Sequence, residues 1–255
     1  MKKNFDVLVI DLSPSEEKVR RARSVFSNAD VSILKAIDWR GKSVQAGSQA
    51  ILSPLWRGAL RSGEHGCALS HLAAWRDLCT STSYGSRLIL EEDWAVTQHF
   101  NQATIDMLAI YLASDEPRLV YLGWNTATQS FSKGMRIYWA LMAVVKSITG
   151  AITPRFSVLY KNIMEKGNFK GSKFEVKFGR QKLTLQSSGL PHGTFGYMLN
   201  SAAAGVLVHL NEHCNYRSDE VLNLAELYDF IVVSRTQDPL IGCDERHVST
   251  IQNAV

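Results

Sequence analysis

The sequence predicts an α/β fold built on a central, mostly parallel sheet flanked by helices. Three observations carry this. Residues 6–12 (DVLVIDL) form an apolar, β-branched run ended by Ser13-Pro14, the pattern of a buried strand followed by a turn. A helical stretch and a second apolar run (VSILKAI, 31–37) follow at the spacing of a strand–helix–strand unit, which favours parallel pairing. The 255 residues are 45% hydrophobic and 20% charged, enough to bury a real core and far from the composition of a disordered chain.

The elements follow in order. Ser15 is placed to cap a helix running to about Phe26, with Glu16 and Glu17 in its first turn. Residues 41–62, carrying Gly41, Gly47, Pro54 and Gly58, read as a loop. Residues 64–79 form a helix with Leu72, Trp75 and Cys79 on one face. Residues 86–92 and 118–122 read as strands, and 101–113 as a helix between them. Further helices are expected over 134–149 and 155–166, and two short strands over 174–186. A strand over 194–199, helices over 201–213 and 220–228, and a last strand over 229–234 complete the chain. The whole reads as one domain, 1–255, with a basic, partly helical insertion at 131–183.

Composition narrows the function. The N-terminal run is short and carries Asp6 and Asp11, unlike a secretory signal, and no stretch of 18 apolar residues marks a membrane span. Cys67, Cys79, Cys214 and Cys243 have no paired spacing, so reduced thiols of a cytoplasmic protein are expected. Charge is segregated. Residues 131–183 hold eleven Lys/Arg against two acids, Glu165 and Glu175. That local excess of nine leaves the remainder at −5, given +4 for the whole chain. Basic residues interleaved with Tyr138, Trp139, Phe156, Tyr160, Phe169 and Phe174 suit an anionic membrane surface, or a lipid-linked acceptor held there. Nucleic acid is the less favoured partner, because the rest of the chain is acidic and carries no recognised motif for it. A solvated excursion with snorkelling side chains is the bland alternative.

The chemistry-bearing motif is Glu91-Glu92-Asp93, directly after the apolar strand LIL. Ligands of open α/β sheets bind beyond the carboxyl ends of strands. Strand alternation would send Glu91 and Asp93 to one side and Glu92 to the other. Two converging carboxylates repel each other, and Mn²⁺ or Mg²⁺, which take oxygen ligands, would relieve that repulsion. A solvated strand end is the alternative. Cys67 and His71, at i and i+4, would make two zinc ligands without further partners. His209 and His213 share that spacing but lack the Glu of a metalloprotease helix.

Several segments together resemble glycosyltransferase family 25. GEHGCALSHLAAWRDL (63–78) resembles its Gly-Cys-Ala-Leu-Ser-His helix, and LILEEDW (88–94) its Leu-Glu-Asp-Asp motif. VIDLSPSEEKVRR (9–21) and KAIDWRGK (35–42) resemble its opening strand and its Ala-Val-Asp-Gly segment. GTFGYMLNSAAAGVL (193–207) resembles its Gly-Thr-His-Ala-Tyr strand, and RSDEVL (217–222) and VSTIQ (248–252) its closing motifs. Glu92 stands where the family usually has Asp, Trp94 is larger than usual, and Phe195 replaces the His. Arg217-Ser218 precede Asp219 where Pro and an aliphatic residue are common.

The resemblance implies a GT-A-type nucleotide-sugar fold and an inverting hexosyl transfer, often from UDP-galactose with Mn²⁺, onto a glycan such as lipooligosaccharide. A cytoplasmic enzyme, peripheral on the inner face of the membrane, would fit. Within that frame Asp93 is expected to ligate the metal directly, with Glu91 sharing the metal or the donor. Ser70, His71, Glu92 and Thr194 would line the donor pocket, since a helix N-terminus favours phosphate. Inversion needs a base opposite the leaving group, and Asp219 is the first candidate, Glu220 the second. Asp219 or Ser218 would equally serve as a helix cap. A catalytically inactive glycan-binding or assembly module of the same fold, and a metal-free glycosidase using paired acids, are the competing readings.

Overall fold

The computed structural model describes residues 5–40, 60, 62–81, 83–125, 173–187, 192–214 and 216–244; at 125, 192–194 and 227 it describes the backbone alone. The elements are β1 (Asp6–Asp11), α1 (Glu16–Val25), β2 (Asp30–Lys35), α2 (Ser62–Thr80), β3 (Ser86–Glu91), β4 (Trp94–Val96), α3 (Gln102–Leu112) and β5 (Arg118–Asn125). They continue with β6 (Lys173–Phe178), β7 (Gln181–Ser187), β8 (His192–Asn200), α4 (Ser201–Leu210), α5 (Ser218–Leu227), β9 (Val232–Thr236) and β10 (Ile241–Cys243). Ser15 caps α1 as expected, its hydroxyl accepting the Lys18 N–H.

Eight strands form one sheet in the order β2-β1-β3-β8-β5-β9-β7-β6. The expected βαβ start is present: β1 pairs in parallel with both β2 and β3. The expectation of a mostly parallel sheet is corrected, because the sheet is mixed. Strand β8 runs antiparallel between β3 and β5. The pair β5–β9 is parallel, and β7 runs antiparallel to both β9 and β6. Hydrophobic periodicity marks that a strand exists but not its direction, which the connecting chain decides.

The sheet is buried on both faces, which explains the continuous apolar runs. Val7, Val9, Leu88, Leu90, Val120 and Met198 pack on one face with α1 and α3 residues such as Phe26, Leu108 and Leu112. Leu8, Ile10, Ile89, Tyr121, Tyr197 and Leu199 pack on the other with Leu72, Trp75, Leu207 and Val221 of α2, α4 and α5. Residues 173–183 of the basic stretch belong to β6 and β7 at the sheet edge, where two short strands were expected over 174–186, with Gly179 (φ +61°) in their turn. The helices expected over 134–149 and 155–166 lie outside the described residues, as does most of the loop 41–62. A second sheet, β4 paired antiparallel with β10, was not anticipated; three-residue strands leave no periodicity to read.

One buried ion pair locks the amino end of the sheet. Arg87 on β3 donates from Nη2 to Asp6 Oδ2 on β1 at 2.6 Å, and from Nη1 to the Ala74 carbonyl and Asp77 Oδ2 on α2. Burial pushes the Asp6 carboxyl up, and the Arg87 hydrogen bond and charge pull it back. Arg87→Met strands Asp6 in the core, so denaturant unfolding should show a loss of about 3–5 kcal/mol, most of it recovered in the Asp6→Leu/Arg87→Met double variant.

Candidate functional site

A cleft opens beyond the carboxyl ends of β1, β2 and β3. It is walled by Ile10 and Leu12 at the end of β1, Ala36–Arg40 after β2, the amino-terminal half of α2 (Gly63, Gly66, Cys67, Ser70, His71), and Glu91 and Glu92 at the end of β3. The space within this shell, including its open mouth, is about 530 Å³.

The wall after β2 is held against α2 by backbone-scale contacts. The Ser70 hydroxyl accepts the Ile37 N–H at 2.8 Å and donates to the Gly66 carbonyl at 2.7 Å. Ser70 is fully buried, and these bonds make it a pin between loop and helix. A Cβ at Gly66 would stand 2.4 Å from the Ile37 carbonyl oxygen, so only glycine permits this approach. Trp39 is carried into the cleft lining by this contact and meets the His65 ring edge-on at 4.9 Å. Arg40 makes a two-pronged pair with Asp38, and the Glu92 carboxylate lies within its field.

The three acids do not behave as one alternating strand. Strand β3 ends at Glu91, and residues 92–93 form a turn into β4. Glu91 and Glu92 therefore both line the cleft, correcting the expectation that they diverge. Glu92 Oε2 accepts the Leu12 N–H at 3.3 Å, joining the ends of β1 and β3. Asp93 is not among the residues that wall this cleft. It is turned toward β10, where its Oδ2 accepts the Cys243 thiol at 3.0 Å and its carbonyl accepts the Asp244 N–H. Burial and then Asp93 itself push the Cys243 thiol up to about 12, so it stays a donor.

His71 is fully buried on α2. Its Nε2 lies 3.3 Å from Glu91 Oε1 and its Nδ1 2.7 Å from the Tyr197 hydroxyl. Thr194 lies on β8, where the backbone alone is described. Asp219 and Glu220 open α5, beside the cleft wall rather than in it. The Cys67 thiol is 3.6 Å from the Ser218 hydroxyl. Burial, together with the charges of Glu91 and Asp219, pushes that thiol far above its ordinary range. Glu220 is committed to capping: its Oε2 accepts the Arg217 N–H at 3.2 Å. Arg217 in turn pairs with Glu64 at 3.0 Å, tying α5 to the first turn of α2.

Among the described residues, Cys67, His71 and Glu91 bring three metal-type ligand atoms within 4.8 Å of one another. Sulfur, nitrogen and oxygen together suit zinc rather than Mn²⁺ or Mg²⁺. A hard cation that keeps water and substrate phosphates needs only one or two carboxylates. Glu91 and Glu92 at the cleft fit that demand; Asp93, bound to Cys243, does not join them. Trp39, Gly66 and Tyr197 were not singled out as site residues from sequence. Trp39 and Gly66 sit inside segments that carried the family resemblance, but their contacts depend on the fold.

A cleft at the carboxyl ends of parallel strands, lined by carboxylates and the first half of a helix, is the place where α/β enzymes bind their ligands. Residues 4–222 match the model of glycosyltransferase family 25, described as an LPS biosynthesis protein, and the chain belongs to that family. It is thus a glycosyltransferase of lipopolysaccharide biosynthesis. A comparison with curated proteins found no match.

Proposed function

We propose that the chain is an inverting hexosyltransferase of GT-A type that moves galactose from UDP-galactose onto a lipooligosaccharide acceptor, with Mn²⁺ or Mg²⁺ as cofactor. The observation that carries this reading is the pairing of Glu91 and Glu92 on the floor of the cleft, opposite the amino-terminal half of α2. Glu91, with Glu92, would hold the cation, which supplies charge neutralisation to the departing diphosphate. The first turn of α2, with Gly63 in the cleft lining, faces the same space and favours phosphate. Trp39 offers a flat apolar face for the nucleoside, with Asp38 and Arg40 beside it. Ser70 holds that wall, and His71 orients Glu91. Thr194 is retained as a donor contact on the strength of the family motif.

Asp219 is proposed as the base that takes the acceptor hydroxyl proton. Glu220 is less suited, because its carboxylate already serves the Arg217 N–H. The basic stretch 131–183 is proposed to meet an anionic membrane surface near the acceptor. Its described end supports this: Lys173, Lys177 and Lys182 are exposed on β6 and β7 and Arg180 in the turn between them, with Phe174 exposed among them. No helix among the described residues is long and apolar enough to cross a membrane.

The test is UDP release from a panel of UDP-sugars, with lipooligosaccharide acceptors truncated at successive residues. UDP-galactose with Mn²⁺ should give the fastest turnover, chelator should abolish it, and the product linkage should be inverted. Absence of UDP release across the panel would overturn the proposal.

A further inference from the structure

Behind Glu91 lies a line of buried polar side chains of which the donor-site reading uses only His71. Trp75 and His71 lie one turn apart on α2, and Tyr197 stands opposite Ile89 in the β3–β8 ladder. Trp75, Tyr197 and His71 are all fully buried. The Trp75 indole Nε1–H donates to the Tyr197 oxygen at 2.8 Å. The Tyr197 hydroxyl lies 2.7 Å from His71 Nδ1, and His71 Nε2 lies 3.3 Å from Glu91 Oε1.

The direction of the first bond is fixed by chemistry, and its neighbours follow from it and from the carboxylate at the other end. Indole nitrogen only donates, so Tyr197 must accept there. Burial pushes the phenol well above its ordinary range, so its proton stays on oxygen. A buried hydroxyl hydrogen needs an acceptor, and His71 Nδ1 is the one beside it. On the other side of the ring the Glu91 carboxylate oxygen accepts, so Nε2 carries the hydrogen aimed at it. Every bond donates in one sense, from the core to the carboxylate at the cleft.

We infer that Trp75, Tyr197 and His71 form a positioning chain that holds the Glu91 carboxylate in its working orientation. The role of Glu91 in transfer rests on the donor-site reading; the chain itself rests only on the hydrogen bonds. Side chains that orient a metal-binding or transition-state group typically change activity by about 10- to 100-fold when removed. Tyr197→Phe deletes one oxygen and leaves the ring, so the fold should survive.

Two measurements test this. Long-range ¹H–¹⁵N correlation spectra of the full chain should show His71 protonated on Nε2. In Tyr197→Phe the proton should stay on Nε2, held by the Glu91 carboxylate, while the Nδ1 resonance moves to the position of a nitrogen without a hydrogen bond. In kinetics, Tyr197→Phe should lower kcat about 10- to 100-fold with the donor KM nearly constant. The same change should add little in a Glu91→Gln background, and His71→Gln, which can still donate to Glu91, should outperform His71→Leu. A wild-type proton on Nδ1, or full additivity of Tyr197→Phe and Glu91→Gln, would overturn the chain. An Nε2 proton in a protein that transfers no sugar would support the chain while refuting the donor-site reading.

Discussion

Glu91→Gln is expected to lower kcat by about 10²- to 10³-fold, the scale seen when one preorganised electrostatic partner of a transition state is removed. The change keeps the shape and removes the charge. Glu91 is partly exposed at the end of β3 and lies outside both apolar clusters, so far-UV dichroism and melting temperature should stay near wild type. The ordering of variants matters as much as the size. The sequence put Asp93 first among metal ligands. With its Oδ2 on the Cys243 thiol, Asp93→Asn should cost less activity than Glu91→Gln. Kinetics at saturating donor, with each variant titrated with Mn²⁺, would show the order, and Asp93→Asn as the more damaging change would return the metal to that residue.

The second large effect is expected at Gly66. An alanine methyl would meet the Ile37 carbonyl at 2.4 Å and the Trp39 nitrogen at 3.3 Å, both backbone atoms that no rotamer change can move aside. Overpacking of this kind costs about 1–3 kcal/mol. In a domain of this size that corresponds to a fall in melting temperature of roughly 2–12 °C. The wall carrying Asp38, Trp39 and Arg40 must shift away from α2, so donor KM should rise as well. Gly205→Ala is the control: it lies on exposed helix surface in α4 with nothing within 4 Å, and should be neutral or slightly stabilising. Differential scanning calorimetry and donor kinetics on the pair check both halves of the prediction.

The parts of the fold legible in the sequence were those set by local pattern. The apolar run 6–12, the Ser15 cap and the βαβ spacing gave β1, α1 and β2 and the parallel pairing of β1. What escaped was set by distant chain. The direction of β8 depends on the connection before it, and β4 with β10 form only because residues 94–96 and 241–243 are brought together. The site divided the same way. Glu91 and Glu92 were visible as acids after a strand, and the family motif pointed to Ser70 and His71. Strand alternation failed beyond Glu91 because a turn begins there. Ser70 proved to be a pin and Glu220 a cap, roles that depend on Ile37 and Arg217 rather than on their own neighbours in sequence.

Transfer by this chain requires a cation and a nucleotide to meet at the floor of the β1–β2–β3 cleft. Paramagnetic line broadening by Mn²⁺ in the presence of UDP measures this most directly, with the Trp39 indole, the Gly66 amide and the His71 ring as reporters. Selective broadening of those three signals, lost in Glu91→Gln, is the predicted result. Broadening centred instead on Cys243 and β10, with the cleft signals unchanged, would contradict it.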